Sequence, residues 1–532
     1  MIFAHGGTIR RASLFLALTF LILTITLAGR AAVRADSAAP EATLAYSSYL
    51  GGNNDDAAWD VAVDGQGNIY VVGYTYSNDF LGRNVTISGD SDIYVAKFNP
   101  AGNVLLYITL FGGPSDNEYP SAIEVDGQGN AYVSVYNLGD DIPLKNPLWG
   151  EYADGNQNGA LFKLDGAGKL VYSTLIPLDM FSKVRINDEN LAVDAAGNAY
   201  LVGTQYTDFD DRYQIGLLKI NPSGTALLLE RYVGGPGDES GLAIDVDSAG
   251  GIYVAGTTEY SDTFPTTANA HQPQCGDIAY GDGSSCELDG VVVAFDAAGN
   301  VVYSSYHGGG RFDYPLTIGG DGKGSILLAG DTNSAKFPLA NALQASCPTD
   351  QWGDCQQFRG FASLIKLNPT KATLAYSTYL GSTEKDSSTS VRKAALDASG
   401  RATVTGYTNG QAFPTAEAIQ PQLAPGICGS SGPERYCDDA FIITLSPSGA
   451  LSFGTYLGGT NDDYPQGLAI HSNGAIYLAG LTESTNFPVT ASALQANSLP
   501  MTDGFLARIA LGGSPPPPPP TGPHIFLPMV IR

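Results

Sequence analysis

The chain is 532 residues long and carries 53 Asp and Glu against 27 Lys and Arg, a formal net charge of −26. That excess argues against a nucleic-acid partner, whose phosphates reward clustered Lys and Arg, and it favours solubility without specifying a fold. Length alone suggests three domains, but an internal repeat overrules that division.

The first 35 residues stand apart. Arg10 and Arg11 precede an uncharged apolar run from Ala12 to Ala28, and small residues follow through Ala35. This is the layout of a secretory signal peptide (1–35) with cleavage after Ala35. The run lies near the lower limit for spanning a bilayer, so an uncleaved anchor is the alternative. No other segment is long and apolar enough to span one. The mature chain is therefore expected to be secreted or held at the cell surface, with no membrane span.

Leu44 to Leu50 comes next, a strand-like run with no partner before it. It matches Leu374 to Leu380 and Leu451 to Leu457, which close later repeats. The first repeat then shows four runs rich in Val, Ile, Tyr and Thr, separated by Gly, Asn, Asp and Pro: Ala57 to Val63, Asn68 to Thr75, Asp92 to Phe98 and Val104 to Phe111. These predict antiparallel strands A to D joined by tight turns. An Asp nine residues before a Gly anchors the repeat, as in Asp64 before Gly73 and Asp321 before Gly330. Asp126, Asp194, Asp247, Asp397 and His471 mark the other units, and the last unit stops at its C strand, Phe505 to Ile509. The fold class is all-β: a seven-bladed β-propeller of four-stranded antiparallel blades over 36–511, closed by the N-terminal strand completing the last blade.

Within each unit, turn residues are separable from candidate site residues. Asp64 to Asn68 and Asn99 to Gly102 carry turn chemistry that every blade needs. Each strand A begins after a Gly-Gly-acidic segment in six of seven units. Because strands alternate direction, these acids fall on the same face as the BC loops and form an interrupted ring. Asp55, Asp56, Asp116, Asp238, Asp313, Asp462 and Asp463 are thus the candidate metal ligands, with calcium or another hard cation as the ion. The plainer use of the same acids is to cap strand A, and no cofactor is firmly implied.

The BC loops of units four to six are long, running over Thr258 to Leu288, Asn333 to Phe361 and Asn409 to Asp438. Each holds a close cysteine pair: Cys275 with Cys286, Cys347 with Cys355, and Cys428 with Cys437. An even count in an exported chain predicts three local disulfides. Tyr280, Trp352 and Tyr436 lie in these loops and are the candidate ligand-binding residues. No catalytic residue is assigned. His271, His307 and His471 are read as lying in three different units, and no nucleophile elbow, zinc helix or phosphate loop is apparent.

Past Leu511, Pro515 to Pro520 predict a polyproline II spacer. Thr521 to Arg532 follow as a short apolar tail, which is either a disordered end or a sorting and attachment tag.

The units resemble the SBBP family of bacterial seven-bladed β-propeller repeats. The resemblance lies in Tyr376 to Gly381, Tyr456 to Tyr464, Val193 to Tyr200 and Phe487 to Thr490, and it extends over nearly all of Leu44 to Leu511. Unit three departs from it, with Ile176 to Asp179 in place of the Gly-Gly-acidic segment, and unit seven has His471 at the Asp anchor. The resemblance implies an exported or surface protein and brings no catalytic residues. The expected function is a non-enzymatic scaffold that binds a protein or surface glycan on the BC-loop face. The alternatives are a polysaccharide-active extracellular enzyme and a purely structural envelope component.

Overall fold

Seven blades, each with four antiparallel strands, follow one another in chain order around a ring, and the sheet of blade 1 gains a fifth, parallel strand. The computed structural model describes residues 42–113, 118–137, 142–151, 159–178, 189–207, 212–259, 263–276, 287–429, 435–499, 501–512 and 529–531. The expected secretory signal and the proline run lie outside these residues. Blade 1 is built from Asp56–Val63, Ile69–Thr75, Asp92–Phe98 and Leu105–Phe111 as strands A to D. Ile69 to Val72 is continuously apolar rather than alternating because the blade is covered on both faces, and all four side chains are buried. The core is accordingly divided among the blade junctions. Tyr70, Val72, Ile93 and Val95 of blade 1, for example, pack against Ile123, Val133 and Phe162 of blade 2.

The Asp-to-Gly spacing has a geometric cause. Asp64 accepts the backbone N–H groups of Gln66 and Asn68, both at 2.9 Å, while Gly67 takes a φ of 84° in the AB turn. The Gly at the other end of the spacing lies in strand B opposite a bulge in strand A, as between Pro315 and Thr317 in blade 5. A Cβ on Gly330 would stand 2.8 Å from the Leu316 backbone nitrogen, which favours glycine there. Blade 2 accommodates Val135 at the same place opposite its own bulge.

On the face of the AB and CD turns, neighbouring blades are stitched together. The Tyr132 hydroxyl donates to the Gly197 carbonyl at 2.8 Å, and Lys163 Nζ donates to the Pro222 carbonyl at 2.8 Å while lying 4.7 Å over the Tyr132 ring.

The ring closes as the sequence predicts. Thr43–Leu50 pairs antiparallel with Asp503–Ala510, placing Tyr49 opposite Phe505 and Ser47 opposite Ala507. Blade 3 departs from its neighbours, its strand A being only Leu191–Val193.

One recurrent element went unread in the sequence. After the Phe-Pro pair, the BC loop turns back and straps the outer edge of its own blade. In blade 5, Ala340 and Ser377 exchange backbone hydrogen bonds of 3.1 and 2.7 Å. Gln344 then clamps Gly381, its Nε2 donating to the carbonyl at 2.6 Å and its Oε1 accepting the N–H at 2.8 Å. Equivalent straps reach Ser173 in blade 2, Ser304 in blade 4, Gly454 in blade 6 and Ser47 in blade 7. Blade 1 uses the C-terminus instead, with Met529–Ile531 lying parallel to Thr109–Phe111. The apolar tail, read as a free end or a tag, is thus paired with the ring over those three residues.

Candidate docking face

The BC loops and the connections from strand D to the next strand A emerge on one face of the ring. The acids expected there have defined partners. Asp56, Asp313 and Asp463 turn into their blades and accept the N–H of the Gly four residues earlier, at 2.6, 2.7 and 2.7 Å. Each also accepts a Ser hydroxyl at 2.9 Å, from Ser77, Ser334 and Ser484 respectively. These three therefore serve strand A as caps, and Glu239 does the same in blade 4. Asp55 accepts the Thr502 N–H at 3.0 Å, Asp238 the Tyr213 N–H at 3.3 Å, and Asp462 the Asp438 N–H at 2.7 Å. Asp116 lies outside the described residues. The acids are thus distributed over separate blade junctions. One trio of possible metal ligands shares a common reach among the described residues, Cys428, Cys437 and Asp462. Its cysteines are bonded to each other and offer no thiolate.

A second layer of acids, hidden in the repeat pattern, lies at the first or second residue of strand C. Asp289 and Asp439 each stand across a glycine from a capping acid. A Cβ on Gly458 would lie 2.5 Å from Asp439 Oδ1 and 2.8 Å from Asp463 Oδ2, so the Leu-Gly-Gly segment is glycine where two carboxyls converge. Burial is the main cause that raises these groups: Asp463 to about 7, Asp439 to about 8 and Asp289 to about 7. Asp56 and Asp503 repeat the arrangement across Gly51, raised by burial to about 7 and about 6.

The loops themselves carry the exposed rings. Cys347 bonds to Cys355 and Cys428 to Cys437, as expected. Cys275 is disulfide-bonded, while Cys286 and Tyr280 lie outside the described residues. Trp352 projects from the blade 5 loop and is 72% exposed. In blade 6, Ile427–Cys428 and Arg435–Tyr436 form a two-residue ribbon that sets Ile427 opposite Tyr436, 62% and 42% exposed. Both loops are bolted to the connection leading into the following blade. Arg435 bonds to Asp462 at 2.9 Å and Asp438 at 3.0 Å, and Gln356 donates to Asp386 at 3.0 Å. Asp354 of the blade 5 loop also pairs at 2.7 Å with Arg311, in the connection that leads into blade 5 itself.

The histidines require a correction. His271 and His307 both belong to blade 4, because the strap that carries His271 folds back onto strand D. Their rings meet at 2.9 Å between Nε2 and Nδ1, His307 Nε2 reaches Ser363 Oγ at 2.8 Å, and Tyr303 OH lies 2.5 Å from His271 Nδ1. Burial, and then the nearby Lys371, lower His271 to about 4, so the pair holds as a neutral chain of hydrogen bonds. His471 sits apart, in the AB turn of blade 7.

The channel contains a charged cluster that the repeat pattern also hid. Lys393 Nζ lies 3.0 Å from Asp60 Oδ2 and 3.5 Å from Glu189 Oε1. Glu124, Glu189, Asp245 and Lys393 line a cavity of about 270 Å³.

The family described as SBBP, beta-propeller repeat, matches the chain at residues 45–80 and 453–488. No curated protein matches it. Among solved structures, a protein of unknown function from Bacteroides caccae is 12% identical, with 61% of this chain and 80% of that one covered and a TM-score of 0.32. The β-propeller domain of the Trilobed protease from Pyrococcus furiosus is 9% identical over 87% of this chain and 97% of that one, at a TM-score of 0.38. YCF48 from Cyanidioschyzon merolae is 9% identical over 87% and 98%, at 0.40. Likenesses at this level bear on neither ligand nor activity.

Proposed function

We propose that this chain, a seven-bladed β-propeller carrying SBBP-type repeats, is an exported, non-enzymatic scaffold that binds a protein or surface glycan on its BC-loop face. The observation that carries the reading is the exposure of Trp352, Ile427 and Tyr436 on two disulfide-closed loops pinned to the next blade. Single exposed apolar residues are ordinary. Here, however, the loops are held in advance, so little conformational freedom is lost when the rings are covered. The disulfides support an oxidising compartment outside the cytoplasm.

The test replaces Trp352, Ile427 and Tyr436 together by serine in the secreted protein. Ligands found for the parent by glycan array or pull-down should bind the variant at least ten-fold more weakly, with thermal unfolding unchanged. Equal binding by parent and variant would remove this face from consideration.

A further inference from the structure

The outermost strand of each blade presents backbone groups that need cover. Straps supply it in blades 2, 4, 5, 6 and 7, and Met529–Ile531 in blade 1. Blade 3 has neither among the described residues. Its B and C strands form a hairpin whose last pair is Thr207 with Arg212. The four residues between them are too few to run back along strand D.

The composition of that strand agrees. Where a strap first bonds, other D strands hold a small residue followed by serine or threonine, such as Ser304 and Ser305 or Ser377 and Thr378, ahead of the tyrosine that takes the next bond. Strand D of blade 3, Leu227–Val233, has Glu230 and Arg231 there. Glu230, Arg231 and Tyr232 are exposed, Tyr232 at 42%, whereas their counterparts Ser304, Ser305 and Tyr306 in blade 4 are buried; Leu228 is exposed, like its counterpart Val302. Glu230 and Tyr232 occupy the register of Ser304 and Tyr306. In blade 4 those two N–H groups point outward to the strap, at 3.0 Å to Thr267 Oγ1 and 3.1 Å to the Gln272 carbonyl. The N–H groups of Glu230 and Tyr232 therefore face the rim.

We propose that this edge is a strand-addition site for an extended segment of another protein, one with a lysine or arginine opposite Glu230 and apolar side chains two residues to either side. Leu228, Glu230 and Tyr232 alternate onto one face, so an added strand sets one residue against each. A basic side chain there is matched to Glu230 and to a chain of net charge −26, while the flanking apolar residues extend the Leu228 and Tyr232 surface. Met529–Ile531 on blade 1 shows that an unstrapped edge of this ring takes an extended segment. The surface lies on the rim of blade 3, separate from the BC-loop face, so the two proposals fail independently.

The probe is a fluorescein-labelled peptide, Thr-Val-Thr-Lys-Thr-Val-Thr, titrated by anisotropy against the full mature chain, with a second peptide bearing Glu for Lys. Saturable binding is expected, at least ten-fold weaker for the Glu peptide. Tyr232→Pro removes an outward N–H that no ladder bond uses and should abolish binding. Glu230→Lys should reverse the preference between the peptides, and it keeps the test decisive if the proline variant misfolds. Absence of saturable binding, or binding untouched by either substitution, would overturn the proposal. So would self-association of the parent that Tyr232→Pro abolishes, since the edge would then belong to a second copy.

Discussion

At the residue scale, buried charge dominates the chemistry of this molecule. Lys393 is the cation between Asp60 and Glu189 in the channel. Lys393→Met should cost about 3 to 5 kcal/mol, because buried carboxylates are left uncompensated, and urea unfolding at pH 8 would read it. The deficit should shrink at pH 5, since burial raises Glu189 to about 7 and Glu124 to about 8, so both hold protons there. The same shift, repeated in Asp56, Asp289, Asp439 and Asp463, sets the pH dependence of the whole fold. A carboxyl raised by folding binds its proton more tightly in the native state, so its contribution is full below the ordinary carboxylate range and is lost as pH rises through the folded value. The turn acids act oppositely: bonds from Asn300 hold Asp296 below its ordinary value, and that contribution is lost in stronger acid. Melting temperature should therefore peak near about pH 5 and fall steadily toward pH 8; a curve flat across that interval would contradict the assignment.

Among the elements, the straps separate what stabilises a blade from what projects from it. Gln344 satisfies both backbone groups of Gly381, so Gln344→Ala should cost about 1 to 3 kcal/mol by leaving them unpaired. Trp352→Ala, on the same loop, should lie within about 0.5 kcal/mol of the parent. Chemical denaturation of the two variants side by side checks the contrast. The strands were legible because Val, Ile and Tyr mark them and Gly, Asn and Asp punctuate them. Straps were not, since an irregular segment has no hydrophobic period, although Phe337-Pro338 with Gln344 and Phe413-Pro414 with Gln420 recur at one spacing and would have served as the signal. The strap is also why His271 and His307 were misplaced: sequence distance conceals a loop that returns to its own blade. The ring of acids was legible as a repeat, but its geometry was not, because the second member of each carboxyl pair comes from strand C of the preceding blade.

For the whole molecule, the repeat set the number of blades, and the orphan strand at Leu44 to Leu50 set the closure. Removing residues 36–50 strips Tyr46, Tyr49 and Leu50 from the core, each worth about 1.5 to 3 kcal/mol, and exposes the edge of Asp503–Ala510. Calorimetry should show a loss of melting temperature as large as that from disrupting the last blade, and an unchanged transition would refute the clasp. Closure also imposes a schedule on synthesis. Ser48 bonds to Gln495 across 447 residues, so at 5 to 20 residues per second the first strand must wait roughly 20 to 90 s for its partner to be made. Throughout that interval an apolar, β-prone segment is unpaired at the leading end of the chain, so whatever shields Leu44 to Leu50 while the other blades form governs the yield of closed rings.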